Sequence, residues 1–145
     1  MDYADTSFLL SCYIPDANHP AAAAYARSWQ KPPRLPLTPF GAYELNNSLR
    51  RLLHKGLLQP ADLAAVAQMV RADVARSLLE DCPLEAWRWL DTANRISRQI
   101  TPHTGTRALD LLHIAQAQLR GATVFLSFDK NQRTAASHAG FTLAP

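Results

Sequence analysis

The chain has 145 residues, 48% of them hydrophobic and 19% charged, which suits one compact domain with a real core and excludes a disordered chain. A formal net charge of +3 and a pI of about 9.1 permit an anionic partner without requiring one. Cys12 and Cys82 are the only cysteines, lie far apart and form no CxxC, which argues against a zinc site or a disulfide framework and fits a reducing cytosol.

The N-terminal stretch "MDYADTSFLLSCYIPD" is apolar but short, acid-flanked and without a basic leader, so it reads as neither a signal peptide nor a membrane span. Asp5-Thr6-Ser7 starts a first helix that stops before Pro15, and Pro20–Gln30 forms a second, broken by Pro32, Pro33 and Pro36. Leu35–Leu37 is a brief strand. Thr38-Pro39 is an N-cap and N1 pair that opens a helix to about His54, ended near Gly56. Pro60–Leu79 is amphipathic, with Leu63, Val66, Val70, Val74 and Leu78 at helical spacing. Cys82–Trp87 reads as a short strand or extended link, Arg88–Ile100 as a helix and Thr101–Gly105 as a turn. Thr106–Arg120 is the clearest helix, with Gly121 as its C′ residue, and Thr123–Ser127 the clearest strand. Asn131–Ala139 is a last helix, closed by Gly140, before a strand at Phe141–Leu143. Strands alternating with helices imply a small parallel sheet covered by helices.

Four acids stand in apolar or element-end settings: Asp5, Glu44, Asp110 and Asp129. From Asp110 the helix descends roughly 15 Å to Arg120, and the strand climbs back roughly 17 Å, so Asp129 returns to the level of Asp110. Asp5 follows a presumed first strand and Glu44 sits early in a helix after a strand, which puts both near the carboxyl edge where open α/β sheets bind ligands. Each has a plainer reading. Asp5 and Asp129 fit helix caps, Glu44 fits a helix dipole, and Asp110 fits an ion pair with Arg107. Clustered carboxylates raise one another's pKa, and a hard divalent cation relieves that. Oxygen donors without His or Cys select Mg2+ or Mn2+.

The segments "YADTSFLLSCYIPD", "TPFGAYELNNSLRR", "TGTRALDLLHIAQAQLRGA" and "FLSFDKNQRTAASHAGF" closely resemble, in order and at the right spacing, the successive motifs of the PIN domain family, and most of all the VapC-type toxins of toxin–antitoxin modules. The stretch from Gln59 to Trp89 is less distinctive. The resemblance implies an α/β fold, a three-layer α/β/α sandwich with a short, mostly parallel central sheet, in a single domain spanning residues 1–145. It implies a metal-dependent endoribonuclease with Asp5, Glu44, Asp110 and Asp129 as the catalytic acids and Asp5, Asp110 and Asp129 as ligands of Mg2+ or Mn2+. Thr6 or Ser7 matches the hydroxyl after the first acid, and Asn131 lies beside the fourth. In the implied reaction the cation orients and deprotonates water for in-line attack on an RNA phosphodiester, leaving a 5′-phosphate and a 3′-hydroxyl. Asp110 or Asp129 would help position that water. The resemblance further implies a cytoplasmic homodimer, an RNA substrate and a cognate antitoxin.

Arg50, Arg51 and Lys55 follow Glu44 on its helix, and Lys130 and Arg133 follow Asp129; they form a basic rim for an RNA backbone or, equally, a solvated face. His113 reads as a packed histidine, His103 as a loop residue, and Trp29, Trp87 and Trp89 as packing groups rather than base-stacking ones. Two rival readings are a non-catalytic PIN module that binds RNA or a protein, which the intact quartet of acids disfavours, and a phosphatase-like α/β enzyme. The phosphatase reading is disfavoured because Ser7 stands where a second acid is needed two residues after Asp5.

Overall fold

The computed structural model describes residues 1–83 and 85–145, so the Leu84 part of the expected extended link lies outside the described residues. In chain order the elements are β1 (Asp2–Ala4), α1 (Thr6–Tyr13), α2 (His19–Ser28), β2 (Leu35–Leu37), α3 (Pro39–His54), α4 (Pro60–Ala75), β3 (Leu79–Asp81), α5 (Ala86–Thr104), α6 (Ala108–Leu119), β4 (Val124–Leu126), α7 (Lys130–His138) and β5 (Thr142–Ala144). The fold class is α/β, as expected. Its short parallel strands are divided between a three-stranded ladder, β1-β4-β5, and a two-stranded one, β2-β3. No helix among the described residues is long and apolar enough to cross a membrane.

The chain divides into two compact units, Met1–Asp5 with Leu84–Pro145, and Thr6–Pro83. In the first, β1 lies beside β4 with Tyr3 opposite Phe125 and Ala4 opposite Leu126, and β5 flanks the other side of β4. Tyr3 stacks on Phe125 with ring centroids 5.5 Å apart, and Ile114, Ala115, Ala117, Ala135 and Ala136 of α6 and α7 are fully buried. The Tyr3 hydroxyl donates to Gln116 Oε1 and contacts His113 Nδ1, each at 2.7 Å, so the one polar group of this core ring is satisfied by α6. His113 is therefore a packed histidine, as expected. Trp89 is buried and its indole N–H donates to the Leu112 carbonyl, while Trp87 is 72% exposed and lies outside the core.

α6 ends in a Schellman turn. Gly121, at φ 66°, donates to Gln118, and Ala122 donates to Ala117. That turn sends the chain into β4. α5 starts two residues earlier than expected and runs through Pro102 to Thr104, so the expected turn and the loop placement of His103 are corrected. Pro102 falls in the last turn and forgoes one helical hydrogen bond without ending the helix, which Gly105 at φ 63° stops. α6 begins at Ala108 rather than Thr106, with Arg107 as its extended N-cap.

In the second unit, Phe8, Leu9, Ala22, Leu45, Leu49 and Val66 form the core with Leu35, Leu37 and Leu79 of the β2-β3 ladder. Thr38 caps α3 by accepting the Gly41 amide at 3.0 Å, with Pro39 at N1, as the sequence predicts. α4 ends at Ala75 rather than Leu79. Ser77, at φ 59°, takes the left-handed C′ position, with Ser77 N donating to Val74 and Leu78 N to Asp73. The residues that follow form β3 at Leu79–Asp81; of the stretch expected to be a short strand or extended link, Cys82, Pro83 and Glu85 are extended link and Ala86 and Trp87 already belong to α5. The Tyr13 hydroxyl donates to Asp73, and the Cys12 thiol is pushed up to about 12 by burial and then by Asp73 and Asp16, which makes it an inert thiol.

Candidate active site

The parallel register of β1 and β4 places Asp5 one residue past its strand, beside Ser127, one residue past the other. Asp5 extends the ladder by donating its main-chain N–H to the Leu126 carbonyl at 3.0 Å. Its side chain is 2% exposed, and Oδ2 accepts from the fully buried Ser127 hydroxyl at 2.6 Å. A buried carboxylate is tolerated only where donors meet it, and Ser127 is such a donor. Ser127 Oγ in turn accepts the Asp129 main-chain N–H at 3.0 Å. One hydroxyl thus ties Asp5 to the backbone of Asp129.

Asp129 caps α7: its Oδ1 accepts from the main-chain N–H groups of Asn131 at 2.8 Å and Gln132 at 3.0 Å. The cap reading of Asp129 is correct, and it coexists with a place in an acidic pair. Asp110 lies in the first turn of α6, and its carboxyl is held above the ordinary value, first by burial and then by the negative charge of Asp129. The charges of Arg107 and His113 and the Arg107 main-chain N–H pull the other way without cancelling the rise. The descent along α6 and return along β4 therefore bring these two carboxylates into electrostatic contact. Gln132 spans them. It is 5% exposed, donates from its main chain to Asp129, and donates from Nε2 to Asp110 Oδ1 at 3.4 Å.

Glu44 belongs to the other unit. There its Oε2 accepts from the Thr6 hydroxyl at 2.8 Å, which ties the carboxylate to the start of α1. Asn131 touches the pair through its main chain and its side chain is exposed, while Ser7 is half-buried in α1. Arg50, Arg51 and Lys130 are exposed. Arg133 differs: its Nη1 donates to the carbonyls of Ser127 and Pro145, both at 2.7 Å, and so braces the end of β4.

Among the described residues no group of three or more His, Cys, Asp or Glu side chains stands ready to hold a metal. What is assembled is the pair Asp110 and Asp129, with Asp5 joined to it through Ser127. The donor chemistry fits a hard cation of the Mg2+ or Mn2+ type, which takes few protein ligands and retains water. Repulsion between the paired carboxylates is the feature such a cation relieves.

Sequence reasoning passed over Ser127 and Gln132. Ser127 is the single hydroxyl in the run "VFLSF", and a polar residue at the end of a buried strand was the available signal. Gln132 stands three residues after the capping Asp129, the spacing of a capping box, which makes it look like helix-start chemistry and nothing more.

The PIN domain family model matches residues 3–137. No curated protein matches the sequence. Among solved structures, Mycobacterium tuberculosis VapC20, described as a sarcin-ricin loop cleaving toxin, is 22% identical with a TM-score of 0.66, over 100% of both chains. FitAcB from Neisseria gonorrhoeae is 16% identical with a TM-score of 0.68, over 100% of this chain and 97% of that one. PAE2754 from Pyrobaculum aerophilum is 15% identical with a TM-score of 0.57, over 98% and 87%.

Proposed function

The chain belongs to the PIN domain family, and from that premise we propose that it is a Mg2+- or Mn2+-dependent endoribonuclease, the toxin of a type II toxin–antitoxin module. The observation that carries the reading is the pairing of Asp110 with Asp129, two carboxylates set against each other at the cost of a raised Asp110 pKa. Folds accept such an arrangement where chemistry uses it. The cation, when bound, supplies a Lewis acid for the phosphate and activates water.

The chain's own residues divide the remaining work. Asp110 and Asp129 hold the cation, with Asp5 as the third carboxylate, oriented by Ser127. Glu44, whose Oε2 accepts from Thr6 within its own unit, matches the second acid of the family's motifs and is proposed as a further catalytic acid. Lys130, Arg50 and Arg51 neutralise substrate phosphates. The likeness to VapC20, described as a toxin, supports the toxin reading, and with that reading go an antitoxin as protein partner, a homodimeric state and a cytoplasmic site of action as further parts of the proposal.

Incubating the purified chain with RNA and Mn2+ tests the reading. Cleavage should leave 5′-phosphate ends, stop on chelation, and fall by at least about 100-fold in Asp5→Ala and Asp110→Asn, a loss on the order of that seen when one charge-stabilising group is removed from an active site. Circular dichroism should show both variants folded. Full cleavage by folded variants removes these acids from the site, and failure of the native chain to bind Mn2+ in the millimolar range makes it a non-catalytic binding module.

A further inference from the structure

Gln132 occupies the third position of α7, counted from the Asp129 cap. At that spacing a glutamine ordinarily turns back and accepts the N–H of the capping residue. Here Ser127 Oγ has taken the Asp129 N–H, at 3.0 Å. The displaced Gln132 amide turns instead toward Asp110, where Nε2 donates to Oδ1 at 3.4 Å. Its Oε1 is buried and, among the described residues, has no hydrogen-bond partner. A buried acceptor without a donor is a cost to the fold, and such groups need a reason to persist. An apolar side chain of the same size would remove the cost.

We propose that Gln132 is a positioning residue: its main chain fixes Asp129, its amide fixes Asp110, and together they hold the two carboxylates ready for a divalent cation. This rests on the reading of the acidic pair as the cation site. Groups that orient a metal's ligands typically contribute 10- to 100-fold to affinity. A residue kept only for the fold would show the opposite pattern, with stability lost and affinity kept.

The test is calorimetric titration of Mn2+ into the native chain and into Gln132→Met, with thermal unfolding of both in EDTA. The expected result is an affinity at least about tenfold weaker in Q132M, with an unfolding temperature in EDTA equal to or above that of the native chain. Gln132→Asn, which keeps an amide but withdraws it by one methylene, should weaken binding in the same way and serves if Q132M does not fold. Native binding with an affinity change under threefold in the folded variant overturns the role of Gln132 and leaves the cation site standing. A native chain that binds no Mn2+ overturns both.

Discussion

Asp110 is the residue whose environment is least comfortable. Burial and Asp129 raise its pKa, so the folded chain binds a proton there more tightly than the unfolded chain does. The sign follows directly. The stability this group contributes is fully present below the ordinary carboxyl value of 3.8 and is lost as pH rises through the raised folded value. At neutral pH without metal, ionised Asp110 works against the fold. Asp110→Asn should therefore unfold at a higher temperature than the native chain in EDTA at pH 7, and the gap should close as pH falls toward 4. Saturating Mn2+ should invert the ranking, because a ligand at about 100 times its dissociation constant stabilises the native chain by about 2.7 kcal/mol and the variant far less. An unfolding series with and without Mn2+ checks both limbs. A variant no more stable than the native chain in EDTA would mean that the strain at Asp110 is absent.

Helix ends decide where the elements of this chain lie, and they also decide how much of the fold was legible. α6 ends at a glycine with the Schellman pattern, and Thr38-Pro39 starts α3, so these boundaries could be read from residue type alone. α4 has the same stop, but Ser77 carries it at φ 59°. Without a glycine the helix seemed to continue, and β3 was hidden in its tail. Pro102 misled in the other direction, because a proline in a final turn does not break a helix whose stop is supplied by Gly105. The site shows the same division. Asp110 and Asp129 could be paired by counting residues down a helix and back up a strand. Ser127 and Gln132 could not, since their roles depend on which of two acceptors takes the Asp129 N–H, and that competition is decided in three dimensions. The left-handed serine gives a prediction at this scale. Ser77→Gly should stabilise the chain by about 0.5–1 kcal/mol, the left-handed strain relieved less the extra freedom glycine has when unfolded. Denaturant unfolding would measure it, and a destabilised variant would contradict the left-handed geometry.

Across the whole molecule an acidic pair sits in a chain of net charge +3. On the proposed nuclease reading this combination has a specific use. The acids would serve the reacting phosphate through a cation, and dispersed basic residues would hold the rest of a polyanion by releasing its counterions. Association with single-stranded RNA should then weaken linearly in log–log form with salt, by about 0.7 per phosphate neutralised. The cations are not equivalent. Lys130 is exposed at the start of α7, next to the capping Asp129, whereas Arg133 donates to the Ser127 and Pro145 carbonyls. Lys130→Ala should reduce the salt slope by about 0.7 and leave the unfolding temperature unchanged. Arg133→Ala should instead cost about 1–3 kcal/mol of stability, because two charge-assisted bonds to main-chain carbonyls are lost together. Fluorescence anisotropy across a salt series, in EDTA so that no cleavage occurs, separates the two when combined with thermal unfolding. If Lys130→Ala leaves the slope intact while Arg133→Ala reduces it without destabilising the chain, the phosphate contact belongs to Arg133 and its bracing role is dispensable.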